Sequence, residues 1–166
     1  NTSILQALEI NTPPPLMVDN LITNACFDKD ANGWNLVCGT GAKTTLLNGT
    51  DGQCACEGNS DARYLRFLST NVGDCIRNPN LEYQGPGEYQ LCFQARTTQN
   101  GNSMYAKMII DGSEFLNSSD FVLSPNNGDW TSYSYTFTAT SSCSSCNFHL
   151  QFVANDASGH YRIDDV

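Results

Sequence analysis

The sequence predicts an all-β protein: a β-sandwich jelly roll of two antiparallel sheets, disulfide-reinforced, with an extended N-terminal arm. Short segments alternate polar and apolar residues with the period of a strand. Clusters of Gly, Pro, Asn and Asp separate them, and those residues favour turns because of their backbone freedom or local side-chain bonding. No segment sustains a convincing helical period.

Taken in order, residues 1–18 differ from the rest. Ser3 to Ile10 is apolar enough to dock and lacks cysteine, and Pro13-Pro14-Pro15 enforces an extended spacer. Residues 1–18 are therefore expected to form an arm, and residues 19–166 the jelly-roll domain. Strands are expected at Ala62 to Leu68, Tyr89 to Arg96, Met104 to Ile110, Tyr133 to Thr138 and Asn147 to Val153. Turns are expected at Gln84-Gly85-Pro86-Gly87, Gln99 to Asn102, Asp111-Gly112-Ser113 and Pro125 to Asp129.

Alternation assigns faces. Tyr89, Leu91, Phe93 and Ala95 should point inward, with Gln90, Cys92, Gln94 and Arg96 outward. Phe148, Leu150 and Phe152 should face the core, with His149 and Gln151 outward. Tyr105 and Lys107 should oppose Met104, Ala106 and Met108. If these strands are neighbours, one face presents Gln94, Arg96, Tyr105, Lys107, His149 and Gln151, a polar set suited to hydroxyl-rich ligands.

Eight cysteines (Cys26, Cys38, Cys54, Cys56, Cys75, Cys92, Cys143 and Cys146) accompany N-glycosylation sequons at Asn1, Asn48 and Asn117. The combination points to secretion into an oxidising, extracellular compartment. A first residue that is Asn1 rather than Met fits removal of a signal peptide. Cys143-x-x-Cys146 and Cys54-x-Cys56 have the ligand types of a zinc site. The oxidising context favours disulfides instead, and the expectation is four of them with pairing left open.

A formal net charge of −9 argues against nucleic acid, which needs clustered Lys and Arg, and against anionic membranes. No apolar run approaches the roughly 20 residues of a spanning helix.

Several segments together resemble the carbohydrate-binding jelly rolls of the family 4/9/22 type. They are Asn20-Leu21-Ile22-Thr23-Asn24 with Phe27 and Gly33-Trp34; Tyr89-x-Leu91-x-Phe93-x-Ala95-Arg96; Trp130-x-x-Tyr133-x-x-Thr136-Phe137-Thr138; and Tyr161 to Val166. The resemblance spans roughly residues 19–166. It implies a sugar cleft on the concave sheet. It also implies a structural calcium held by Asp164 and by backbone carbonyls at Cys26 and near Gly52, with no organic cofactor. Asn35-Leu36-Val37 lacks the aromatic that sugar-binding members often place there, so stacking on sugar would fall to Tyr105, Phe115 or Tyr64.

Catalysis is not expected. Glycoside hydrolysis needs two facing carboxylates, one in an apolar setting that raises its pKa. Asp111, Glu114 and Asp120 lie in a loop region and Asp164-Asp165 is terminal. His149 reads as a sheet-face residue and His160 as a turn residue, and no Gly-x-Ser-x-Gly elbow is present. The expected role is a non-catalytic module binding glycan. The other expectation is a structural subunit of an extracellular filament or matrix. There the arm, anchored by Ile4, Ala7, Leu8 and Ile10, adds a strand to a neighbouring copy.

Overall fold

A computed structural model describes residues 21–22, 27, 33–38, 43–48, 63–99, 101–115, 129–142, 146–164 and 166, with the backbone alone at 36–38, 43–48, 63, 79 and 80. Among the described residues ten strands follow in chain order: β1 (Asn35–Cys38), β2 (Lys43–Asn48), β3 (Arg63–Leu68), β4 (Cys75–Leu81), β5 (Gly87–Thr97), β6 (Met104–Ile110), β7 (Ser113–Glu114), β8 (Thr131–Ala139), β9 (Phe148–Ala154) and β10 (His160–Asp164). They form two five-stranded sheets, ordered β1-β4-β9-β6-β7 and β2-β3-β10-β5-β8. Every ladder in both sheets is antiparallel. The expected two-sheet jelly roll is present.

The core lies between the sheets and follows from the period-two alternation. From the first sheet come Ile76, Met104, Ala106, Met108, Ile110, Phe148, Leu150 and Phe152. From the second come Leu65, Phe67, Leu91, Phe93, Ala95, Phe137, Tyr161 and Ile163. Phe152 sits at the centre, 5.8 Å from the Trp34 ring in a stacked pair and 4.9 Å from Phe93 edge-on. Edge-on and offset-stacked pairs suit the ring quadrupole and add about 0.5–1.5 kcal/mol each beyond area burial. Tyr133 and Tyr135 point inward as expected but remain half-buried on the edge strand β8.

Turn chemistry fixes register where two strands meet tightly. Between β6 and β7 both Asp111 (φ 49°) and Gly112 (φ 82°) are left-handed. Two consecutive positive φ values make a primed hairpin turn, which is why Asp-Gly occurs there. Gly159 matters for space instead: a Cβ there would overlap the Tyr161 ring.

Strands β1, β2 and β4 were not among the expected segments. In β4 the alternation is short, Pro79 lies inside it, and the ladder with β9 shifts between Asn78 and Leu81. Proline usually demotes a run to an edge or a bulge; here β4 is internal and tolerates it at an irregularity.

The expectation of four disulfides is corrected. Cys92 is an exposed free thiol. It projects from mid-β5 toward Ser134 on β8, Sγ to Oγ 3.6 Å, so its cross-strand neighbour is a serine and not a cysteine. Seven cysteines remain of eight, too few for four pairs. Cys75 and Cys146 are in the disulfide form. The arm with Ile4, Ala7, Leu8 and Ile10, the sequons at Asn1 and Asn117, and Cys26, Gly52, Cys54, Cys56 and Cys143 lie outside the described residues.

Candidate functional site

The six residues expected on one face divide between two. Gln94 and Arg96 project from β5, in the second sheet. Tyr105 and Lys107 from β6, with His149 and Gln151 from β9, project from the first sheet. Strands β5 and β6 follow one another in sequence but lie in opposite sheets, so their outward side chains point away from each other. A crossover between sheets leaves no mark in strand alternation.

The outer face of the first sheet is built in cross-strand rows. Arg77 of β4 stands opposite Gln151 of β9, which stands opposite Lys107 of β6. Two residues along, His149 stands opposite Ile109, and Ile109 opposite Glu114 of β7. Two residues the other way, Val153 stands opposite Tyr105. Directly opposite side chains in antiparallel strands come within reach of one another. Lys107 Nζ donates to Glu114 Oε1 at 2.6 Å and lies 5.6 Å from the centre of the Tyr105 ring. The face therefore joins an aromatic ring, an amide, two cations, an imidazole and one carboxylate.

Two groups on this face are buried without hydrogen-bond partners: His149 Nδ1 and Arg77 Nε. His149 is only 6 % exposed although it points outward. Gln151 Nε2 lies 3.1 Å from His149 Nε2. An amide nitrogen only donates, so Nε2 accepts and the proton resides on Nδ1. Burial, and then the nearby charge of Arg77, hold the imidazole below its ordinary pKa, so it is neutral at pH 7. The face thus presents two buried donors, an imidazole N–H and a guanidinium N–H. Buried polar groups are nearly always paired, and a donor left alone costs about 1–3 kcal/mol. Sequence reasoning missed Arg77 because β4 was not recognised; Cys75-Ile76-Arg77-Asn78 carries only a fragment of alternation.

The outer face of the second sheet has a different character. Arg66, Arg162 and Arg96 form one row across β3, β10 and β5. The Arg96 guanidinium lies 4.6 Å from the Trp130 ring centre and 5.7 Å from that of Tyr64, and Arg162 lies 4.9 Å from Tyr64. Tyr64 and Trp130 meet edge-on at 5.8 Å. Tyr64 and Arg96 are buried and Asp164 is fully so. This is a packed cluster of rings and guanidiniums rather than an open platform. Beside it, a shallow depression of about 210 Å³ lies over Cys92, Gln94, Ser132 and Ser134. It is below the roughly 300–1,000 Å³ usual for small-molecule sites.

Of the three rings expected to stack on sugar, only Tyr105 suits the role. Phe115 packs against the core cluster and Tyr64 is buried beneath the arginines. Of the expected calcium ligands only Asp164 is described. Among the described residues no group of three or more His, Cys, Asp or Glu side chains comes together as a metal site. His160 opens β10 rather than a turn.

No protein-family profile matches the chain, and no curated protein does. Solved structures do. The CBM22-1 xylan-binding domain of Paenibacillus barcinonensis Xyn10C aligns over 84 % of this chain and 87 % of its own, at TM-score 0.61 and 11 % identity. The fold is that of carbohydrate-binding modules. TmCBM61, solved with β-1,4-galactotriose, aligns over 89 % of this chain and 96 % of its own, at TM-score 0.59 and 14 % identity. The Clostridium thermocellum xylanase 10B CBM22-1–GH10 structure, complexed with xylohexaose, aligns over 84 % of this chain at TM-score 0.59 and 16 % identity. This chain spans only 26 % of that one. At such identities the likeness concerns the fold, and function must be argued from the site.

Proposed function

We propose that the chain is a non-catalytic, secreted module that binds glycan on the outer face of the first sheet. The observation that carries this reading is the cross-strand set Tyr105, Lys107, Gln151, Arg77 and His149, with two buried donors lacking acceptors, on a fold shared with carbohydrate-binding modules. Sugar hydroxyls and ring oxygens supply acceptors, and an aromatic ring covers the apolar face of a pyranose. The sequons at Asn1, Asn48 and Asn117, together with Cys75 and Cys146 in the disulfide form, support secretion. The reading of binding without cleavage is supported by the ion pair that engages the acid on this face, Glu114 with Lys107 at 2.6 Å. A structural calcium at Asp164, with carbonyls of Cys26 and near Gly52, belongs to the same proposal. Were calcium held there, chelation would lower the melting temperature.

A polysaccharide panel in affinity electrophoresis tests the binding reading. The wild-type protein should be retarded by at least one glycan. Tyr105→Ala and Gln151→Ala should abolish the retardation while leaving circular dichroism unchanged. Equal retardation of all three proteins would place binding elsewhere.

A further inference from the structure

We propose that the glycan taken by this face is acidic, with its carboxylate received by Arg77 and the His149 Nδ1–H; the inference rests on the glycan-binding reading above. Among the described residues of this face, the two buried atoms without partners, Arg77 Nε and His149 Nδ1, are both donors, so the missing partner is an acceptor. Their charge state specifies it further. Arg77 is a permanent cation, and no carboxylate among the described residues pairs with it; Glu114 is taken by Lys107. The five strands of this sheet contain a single acidic residue, Glu114, although the chain holds 17. The cations Arg77 and Lys107 stand in one row on either side of Gln151. A neutral sugar would satisfy the two donors but leave a guanidinium without its counter-ion.

A planar carboxylate matches the forked N–H geometry of a guanidinium and forms shorter, charge-assisted bonds with it. Gln151 then serves two roles. Its amide holds the His149 tautomer through the 3.1 Å contact with Nε2, and it spaces Arg77 from Lys107. Tyr105, one row along, lies where the neighbouring sugar ring would stack. The occupant expected is therefore a chain of uronic acid residues, or a neutral backbone bearing them.

On the second sheet, Arg96 and Arg162 do not compete for this role: they lie over the Tyr64 and Trp130 rings, and Asp164 lies in the adjacent row of the same face.

The test uses wild-type protein with polygalacturonate, alginate and glucuronoxylan, each paired with its carboxyl-reduced counterpart, and a sulfated dextran as control. Because the change is made in the ligand, folding of a variant does not enter. At least one acidic polymer should bind, with affinity falling about 10- to 100-fold on carboxyl reduction. Arg77→Gln should lose a larger factor toward the acidic form than toward the reduced form, so that the preference between the two shrinks. Equal binding of native and reduced polymers would overturn the acidic assignment and leave glycan binding standing. Retention by the sulfated dextran, with the polyuronates ignored, would overturn the carboxylate. Binding to no polymer of either kind would remove the glycan reading itself.

Discussion

The two outer faces of the sandwich carry similar residues and arrange them oppositely. On the second sheet, cations and rings are turned on one another: Arg96 over Trp130 and Tyr64, Arg162 over Tyr64, Tyr64 edge-on to Trp130. On the first sheet Arg77 Nε and His149 Nδ1 are buried donors without a hydrogen-bond partner, while Lys107 is matched to Glu114 and His149 Nε2 to Gln151. The stacked guanidiniums of Arg96 and Arg162 have aromatic rings of the fold itself as neighbours. For buried donors without acceptors, a partner that supplies an acceptor recovers what burial costs. On this difference rests our proposal that one face stabilises the fold and the other binds.

The comparison breaks most sharply if the stacked cluster is cut. Trp130→Ala removes the ring beneath Arg96 and exposes Tyr64. We expect a loss of roughly 2–4 kcal/mol in urea unfolding, from lost area and cation–π contact, with glycan binding unchanged. A binding loss at intact stability would reverse the roles of the two faces.

The converse change is Arg77→Met. Replacing a polar group that lacks its partner by an apolar one of similar length is often neutral or stabilising. Unfolding stability should change by less than about 1 kcal/mol, while affinity for the glycan falls by about 1.5–3 kcal/mol, the range for a hydrogen bond to a charged group. Calorimetric titration and thermal melting on the same preparation separate the two quantities.

Acidification sharpens it further. The His149 pKa is lowered in the fold from its ordinary 6.5, so the unfolded chain takes up the proton first and stability falls as pH drops below about 6.5. The charged groups in the facing rows are Arg77 on β4, Lys107 on β6 and Glu114 on β7. Asp74 acts at lower pH. Burial opposes its ionisation, but hydrogen bonds from Thr70 and Asn71 outweigh that and hold its carboxyl below 3.8. Its contribution is present above 3.8 and lost as pH falls through the folded value. Melting temperature should therefore decline in two stages, and His149→Phe should flatten the upper one only. An unchanged upper stage in that variant would mean His149 is not its source.

The smallest effect belongs to Lys107→Ala. Its ion pair with Glu114 is partly exposed, with side chains 20 % and 43 % accessible, and such pairs contribute about 0–1 kcal/mol. Stability should hardly move, and 0.5 M salt should reduce the difference further.

The fold was largely legible in the sequence because its central strands alternate cleanly. Leu91, Phe93 and Ala95, and Phe148, Leu150 and Phe152, face the core as their period requires. The candidate face was legible in part. Tyr105, Lys107, His149 and Gln151 gather on one sheet, since β6 and β9 pair along their full length. Arg96 and Gln94 do not join them, because alternation reports which side of a strand a residue takes and not which sheet the strand enters. Arg77 was invisible for another reason. Pro79 and the register shift interrupt β4 before an alternating pattern becomes long enough to read. Cys92 shows the limit of composition: counting eight cysteines suggests four pairs, and only the strand register reveals that Ser134 occupies the position opposite.

Everything proposed for this protein depends on glycan binding by the outer face of the first sheet. A glycan array probed with the wild-type protein and an Arg77→Met, Gln151→Ala double variant tests it most directly. We expect wild-type signal on carboxylated glycans, and its loss in a variant with an unchanged melting temperature. Signal that survives in the double variant, or no glycan bound by the wild type, would contradict the claim.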